Sequence, residues 1–161
     1  METLDQLLYW RGIASDYFNY KGEQVTVPLE NRKALLRAMG VDPEDTEAVA
    51  KEAFELDVAP WLTWVQSFQV IERHKECCFF VNVAPDELDQ PFEYAVWLED
   101  GSENKGSFTP ALQPEVGDYV YEGTRYSRRV VMCGDLPLGY HKLTIRAVSY
   151  THLTLPTKPS V

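Results

Sequence analysis

The sequence predicts an α+β chain: a short N-terminal helical segment over residues 1–60, then an antiparallel β-sandwich of the immunoglobulin-like type over residues 61–147. Three observations predict it. Apolar residues recur at helical spacing through the first part of the chain, and at alternate positions from about Trp61 onward. The composition, 45% hydrophobic and 12% aromatic, is rich enough to build a core and argues against a disordered chain. At 161 residues the chain is too short for a catalytic TIM barrel of about 250 residues, so that architecture is expected to be absent.

The helical segment reads as three helices. Thr3 followed by Gln6 fits a capping box, Leu4, Leu7 and Leu8 form an apolar stripe, and Gly12 can close the helix in a left-handed conformation. The second helix follows Pro28 and runs from Leu29 to Met39, with Leu35, Leu36 and Met39 on one face and Gly40 as its stop. Val41 then stands where a Schellman motif places a hydrophobic contact back onto the last turn. Asp42 before Pro43 is the expected start of the third helix, whose apolar face is Val49, Ala53 and Leu56 with Phe54 at its edge.

The sandwich reads as seven short strands: Ser67–Arg73, Glu76–Val83, Phe92–Glu99, Gly106–Phe108, Asp118–Tyr121, Arg128–Cys133 and Tyr140–Arg146. Asp100-Gly101 marks a hairpin turn, and Leu136-Pro137-Leu138-Gly139 a tight lead-in to the last strand. Alternation in Phe92–Glu99 puts Phe92, Tyr94, Val96 and Leu98 inward and leaves Trp97 outward among Glu93, Ala95 and Glu99. An outward Trp needs cover: stacking on a sugar ring, or, as is more common, docking against the helical segment or another part of the protein. Trp61 and Trp64 read as packing between helices and sandwich.

Composition excludes several functions. Fifteen basic against 25 acidic residues give a net charge of −10, so nucleic acid and anionic membrane are not expected partners. The opening Met1-Glu2-Thr3-Leu4-Asp5 is acidic where a signal peptide is basic, and the expected location is cytoplasmic. Cys77, Cys78 and Cys133 lack paired C-x-x-C spacing and read as small apolar fillers in a reduced compartment. No P-loop, G-x-G-x-x-G, H-E-x-x-H or G-x-S-x-G phrase occurs. His74 lies at a strand end among charged residues, and His152 lies in the tail. His141 shares a strand face with Leu143 and Ile145 and is expected to point inward and hydrogen-bond a loop. Acid pairs such as Asp86-Glu87 read as caps and solubilising charge, since a glycosidase needs two carboxyl groups facing each other across a bond.

Residues 148–161 read as a non-native tail by their change of character, being almost uncharged and rich in Thr. Val148–Thr157 can be written GTC TCT TAT ACA CAT CTG ACG CTG CCG ACG, which resembles the adapter of transposase-made sequencing libraries. The natural reading is then expected to break off near Ala147.

Two phrases carry a family resemblance. The first is Leu7-Leu8, Gly12-Ile13, Tyr17, Gly22, Val27 and the stretch Arg32-Lys33-Ala34-Leu35-Leu36-Arg37-Ala38-Met39-Gly40. The second is Leu136-Pro137-Leu138-Gly139-Tyr140-His141-Lys142-Leu143-Thr144-Ile145. In order and separation they resemble the N-terminal region of bacterial 4-alpha-glucanotransferases, the amylomaltases of glycoside hydrolase family 77. The resemblance implies an accessory fragment whose parent moves α-1,4-glucan segments between maltooligosaccharides by a retaining double displacement. It implies a C-terminal catalytic barrel of the same chain as partner, α-1,4-glucan as the parent's substrate, and no cofactor. No catalytic, cofactor-binding or metal residue is carried onto this sequence, because the family's catalytic residues sit on the barrel. The alternative is a free-standing β-sandwich module that binds carbohydrate or protein, with Trp97 as anchor; the reading frame beyond Ala147 separates the two.

Overall fold

The computed structural model describes residues 2–72 and 76–148, apart from the side chain of Glu2. The readings at Arg73, His74 and His152, and the adapter-like segment beyond Val148, lie outside the described residues. The chain divides into two compact units, Met1–Thr63 and one from Trp64 onward. Among the described residues no helix is long and apolar enough to cross a membrane.

The first unit contains α1 (Glu2–Trp10), a two-stranded hairpin of β1 (Asp16–Phe18) and β2 (Gln24–Thr26), α2 (Leu29–Ala38) and α3 (Thr46–Asp57). Its core is Leu7 and Leu8 of α1, Ile13, Leu36 of α2, Val41 and Val49 of α3, with Leu4 and Ala48 packed on them. Both glycine stops behave as the sequence predicts. Gly12 (φ +74°) and Gly40 (φ +92°) take left-handed conformations that a side chain would strain. The chain then folds back so that Ile13 N–H donates to Leu8 O at 2.9 Å and Val41 N–H to Leu36 O at 3.2 Å. Ile13 and Val41 are thereby driven into the core they help to close.

Several local readings are corrected. Thr3 lies inside α1 and not at its cap. On α2 only Leu36 is buried, while Leu35 and Met39 are 53% and 51% exposed. Arg32 and Lys33 flank Leu36, paired with Asp5 at 3.6 Å and Glu44 at 2.9 Å, so their aliphatic stems cover the ground assigned to apolar residues. The cap of α3 is Asp45, which accepts from Glu47 N–H and Ala48 N–H. Asp42 instead caps a separate turn, accepting from Glu44 N–H at 3.0 Å. Leu56 is exposed, and Val58, just past the helix, is buried in the first unit. The β1–β2 hairpin escaped notice because its strands have three residues each; its turn is held by Asn19, whose side-chain Oδ1 accepts from Lys21 N–H and Glu23 N–H.

Among the described residues of the second unit six strands form two antiparallel sheets. One has the order β3 (Cys78–Val83), β7 (Thr124–Met132), β6 (Glu115–Tyr121); the other β5 (Glu103–Phe108), β4 (Phe92–Trp97), β8 (Lys142–Ala147). The sandwich core joins Phe79, Val81, Val83, Val131 and Cys133 of the first sheet and its continuation to Phe92, Val96 and Phe108 of the second. Phe92 and Phe108 are directly opposite in the β4–β5 ladder and stack at 5.4 Å between centroids and 12° between planes. Phe79 meets Phe108 edge-on at 5.8 Å, an inter-sheet contact with the geometry that ring quadrupoles favour.

The predicted strand at Ser67–Arg73 does not form over its described part. Residues 64–69 touch the open edge of β3 at isolated points: Asn82 N–H donates to Trp64 O, and Gln69 Nε2 donates to Cys78 O, both at 2.8 Å. A backbone bond and a side-chain bond satisfy edge groups without a ladder. Trp64 is likewise a sandwich residue, its ring edge-on to Phe92 at 5.0 Å and its indole N–H on Glu87 at 2.8 Å. Glu122-Gly123, both at positive φ, form the two-residue turn joining β6 to β7, and the two strands extend well beyond the short segments read from sequence.

Phe92→Ala is expected to destabilise the second unit by about 3–5 kcal/mol. Leu35→Ala is expected to change stability by no more than about 0.5 kcal/mol. Denaturant unfolding measures both, and a loss above about 2 kcal/mol for Leu35→Ala would show that the outer face of α2 is covered.

Candidate functional site

The outward face of the β5–β4–β8 sheet gathers the chemistry that the sequence singled out around Trp97. Residues opposite each other in a ladder share a face. Three rows follow from the register: Glu103, Trp97 and Lys142; Lys105, Ala95 and Thr144; Ser107, Glu93 and Arg146. Trp97 is 45% exposed, as alternation predicts. Ala95 and Thr144 are small, so the middle of the face sinks into an open trough of about 680 Å³. Charges stand around it in pairs. Arg146 donates through Nε and Nη2 to Glu93 Oε2, the former at 2.9 Å, and Lys105 Nζ lies 3.0 Å from Glu103.

Sequence reading reached Trp97 and its neighbours Glu93 and Ala95, but not Arg146, Thr144 or Lys105. Arg146 is 53 residues from Glu93 along the chain, and only the β4–β8 register brings them together. The available signal was charge at alternate positions in both strands.

A second polar cluster lies on β6 and β7. Glu115 accepts from Arg125, from Ser127 Oγ at 2.7 Å and from Arg129 Nη2 at 2.9 Å, and Arg125 Nε also donates to Asp118 at 2.9 Å. The Arg125 and Ser127 hydrogen bonds pull the Glu115 carboxyl down to about 2. Ser127 is fully buried, and it shares a strand face with the core residue Val131. With both Glu115 oxygens so occupied, this cluster holds strands together and is not placed for proton transfer.

A larger cleft of about 1130 Å³ lies against β3 and the 136–143 segment, with Phe68, Val70, Leu138 and Tyr140 exposed on its walls. His141 lines it, its Nε2–H donating to Pro137 O at 2.8 Å, the loop bond expected of it. Cys77, Cys78 and Cys133 are free thiols. Burial raises the pKa of Cys133 to about 11, which keeps it protonated and a poor nucleophile.

The comparisons with known proteins agree with this architecture. The family model described as the MalQ N-terminal beta sandwich domain matches residues 64–156. That match crosses into the segment read as adapter, at residues 148–156. Proteins named 4-alpha-glucanotransferase from Mycobacterium bovis (strain ATCC BAA-935 / AF2122/97) and Mycobacterium tuberculosis (strain ATCC 25618 / H37Rv) are each 29% identical over 142 residues. Those alignments cover 84% of this chain and 18% of each relative, so the chain spans under a fifth of their length. A solved structure, described as the crystal structure of amylomaltase from Corynebacterium glutamicum, superposes with a TM-score of 0.59 at 24% identity. It covers 91% of this chain and 21% of that one, and shows a shared fold.

Trp97→Ala is expected to leave stability within about 1 kcal/mol of the parent chain, because a half-exposed indole loses little burial. A loss of 3 kcal/mol or more, about the cost of a core aromatic, would mean that the strand's faces are reversed. Glu115 makes a pH prediction. Its folded pKa lies below the unfolded value, so its contribution is present above about pH 4.5 and is lost as pH falls toward 2. Glu115→Gln is therefore expected to lower the thermal midpoint at pH 7, with a gap from the parent chain that closes as pH falls toward 2; a constant gap refutes the linkage.

Proposed function

The chain belongs to the MalQ N-terminal beta sandwich family, and from that premise we propose that it is the N-terminal accessory part of a cytoplasmic 4-alpha-glucanotransferase. The observation that carries this reading is the disparity of length. The alignment covers most of this chain yet only 18% of relatives named for the activity. Catalysis then belongs to chain outside these residues, in a C-terminal barrel that is the partner of this region. The parent cleaves an α-1,4-glucan, holds the non-reducing piece as a covalent glycosyl-enzyme, and passes it to another maltooligosaccharide. Retention of configuration requires a carboxylate nucleophile and an acid/base about 5 Å apart.

The carboxylates described here support the division of labour. Glu93 is engaged by Arg146, Glu115 by Arg125 and Arg129, and Glu52 by Arg11, while Asp45 and Asp100 accept from turn and helix N–H groups. Each has a structural partner. The reaction so assigned needs no metal or organic cofactor, and the acidic balance of the chain disfavours nucleic acid and anionic membrane.

Residues 1–161 alone are expected to neither transfer nor hydrolyse maltotriose. Glucose release above a blank, from protein free of host amylomaltase, overturns that expectation. The genomic reading frame tests the assignment itself: an open frame running past Ala147 into a barrel sequence is the expected result, and a stop codon there favours a free-standing binding module. The same nucleotides test the tail, which is natural if the adapter string is missing from them.

A further inference from the structure

The three cysteines, which the proposed function does not use, stand together at one end of the β3–β7 ladder. The last paired row there is Cys78 opposite Met132. One step further the two chain segments are still joined, because Cys133 N–H donates to Cys77 O at 3.0 Å. Cys77 and Cys133 are therefore directly opposite neighbours of the hydrogen-bonded kind, whose Cα atoms lie about 5.5 Å apart. Alternation turns both side chains inward: Cys133 belongs to the sandwich core with Phe79 and Val131, and Cys77 packs against the same core. Cys78 takes the other face, across from Met132.

That spacing suits a disulfide. Bridged cysteines have Cα atoms about 4.4–6.8 Å apart and Cβ atoms about 3.8 Å apart, whereas opposite residues in a ladder hold their Cβ atoms about 4.5–5.5 Å apart. A bond between Cys77 and Cys133 thus draws its two Cβ atoms together by about 1 Å. Both residues lie one position outside their strands, where the backbone yields more readily than in mid-ladder. The strain that remains makes such a bond easy to reduce. All three thiols line the open cleft of about 1130 Å³, so a small oxidant reaches them, and Cys77 is more exposed than Cys133 at 6%.

We propose that Cys77 and Cys133 are a reversible redox pair, which hydrogen peroxide closes into a cross-strand disulfide and glutathione reopens. The pair follows from the β3–β7 register and stands apart from the function proposed above. Cys77, reached from the cleft, attacks one peroxide oxygen as its thiolate; an S–O bond forms, the O–O bond breaks, and the departing hydroxide takes up a proton as water. Cys133 then attacks the sulfenic sulfur; the S–S bond forms, the S–O bond breaks, and the hydroxide leaves with the Cys133 proton as a second water. Two thiols give up two electrons and one peroxide becomes two waters. Reopening returns those electrons from two glutathione thiols, which leave as oxidised glutathione. Burial, and after it the neighbouring Cys77 and Cys78, raise the Cys133 pKa to about 11, so little of it is thiolate. A partner held directly opposite offsets that scarcity through its high effective concentration.

The test treats the purified chain with hydrogen peroxide, blocks the remaining thiols with iodoacetamide and maps the bridges by mass spectrometry, with fragmentation between Cys77 and Cys78 to tell which of them is linked. The expected product is a monomer lighter by two hydrogens, bridged from Cys77 to Cys133, with Cys78 carrying the block, and restored to three thiols by millimolar glutathione. Cys78→Ser is expected to keep the bridge and Cys77→Ser to abolish it. Cys133→Ser is expected to stop the reaction at a Cys77 sulfenic acid that dimedone traps; since Cys133 is buried and that variant can misfold, the map of the unaltered chain decides the matter without it. A bridge from Cys77 to Cys78 or from Cys78 to Cys133, or oxidation to sulfinic acid with no bridge, overturns the pair. A Cys77–Cys133 bridge that withstands glutathione overturns its reversibility. None of these outcomes bears on the accessory assignment, which keeps its own reading-frame test.

Discussion

The sandwich depends on one buried ring. Phe92 has no exposed surface, and three rings meet around it or its neighbour: Phe108 stacked across the β4–β5 ladder, Trp64 edge-on, and Phe79 edge-on to Phe108 from the opposite sheet. A single residue thus ties the ladder, the strand-like approach of residues 64–69 and the inter-sheet contact to one point. Its position also fixes the outer face. Because side chains alternate, Phe92 inward forces Val96 inward and Trp97 outward, and no register of β4 can bury both.

The two sheets use their other surfaces differently. On β6 and β7 the cationic and acidic groups converge on Glu115, and a hydroxyl as deeply buried as Ser127 is tolerated because it donates to that carboxylate. On β4 and β8 the charges stay at the surface in simple pairs, separated by small residues. The first arrangement trades polar groups for cohesion of edge strand β6. The second leaves an open recess with hydrogen-bonding walls. The excess of acid over base in the composition is spread over both roles and over helix and turn caps such as Asp45 and Asp100.

The helical unit follows a different economy. Its helices are 9 to 12 residues long, too short to persist alone, and three of their ends are tied down by particular local devices. Gly12 and Gly40 turn the chain so that the next residue becomes core, and Asp45 satisfies the first N–H groups of α3. The phrase from Arg32 to Gly40 that carries the family resemblance is therefore a piece of helix-ending and core-forming chemistry, with no part in substrate contact shown by its geometry. Family likeness here reports architecture.

By itself the sequence determined the three helices, the six sandwich strands, the glycine stops with Ile13 and Val41 behind them, the inward face of β4 and the exposure of Trp97. Each of these depends on residues within one or two turns or one strand, where spacing and backbone preference act directly. Tertiary structure decided what depends on partners distant in the chain. It chose Arg32 and Lys33 over Leu35 and Met39 as the flanks of Leu36, and withheld a ladder from residues 67–72 because β3's edge was met at isolated points. It placed Trp64 inside the sandwich and set Arg146 beside Glu93, 53 residues away. A periodic pattern states which face of an element is apolar, but only strand order and register state what stands next to it.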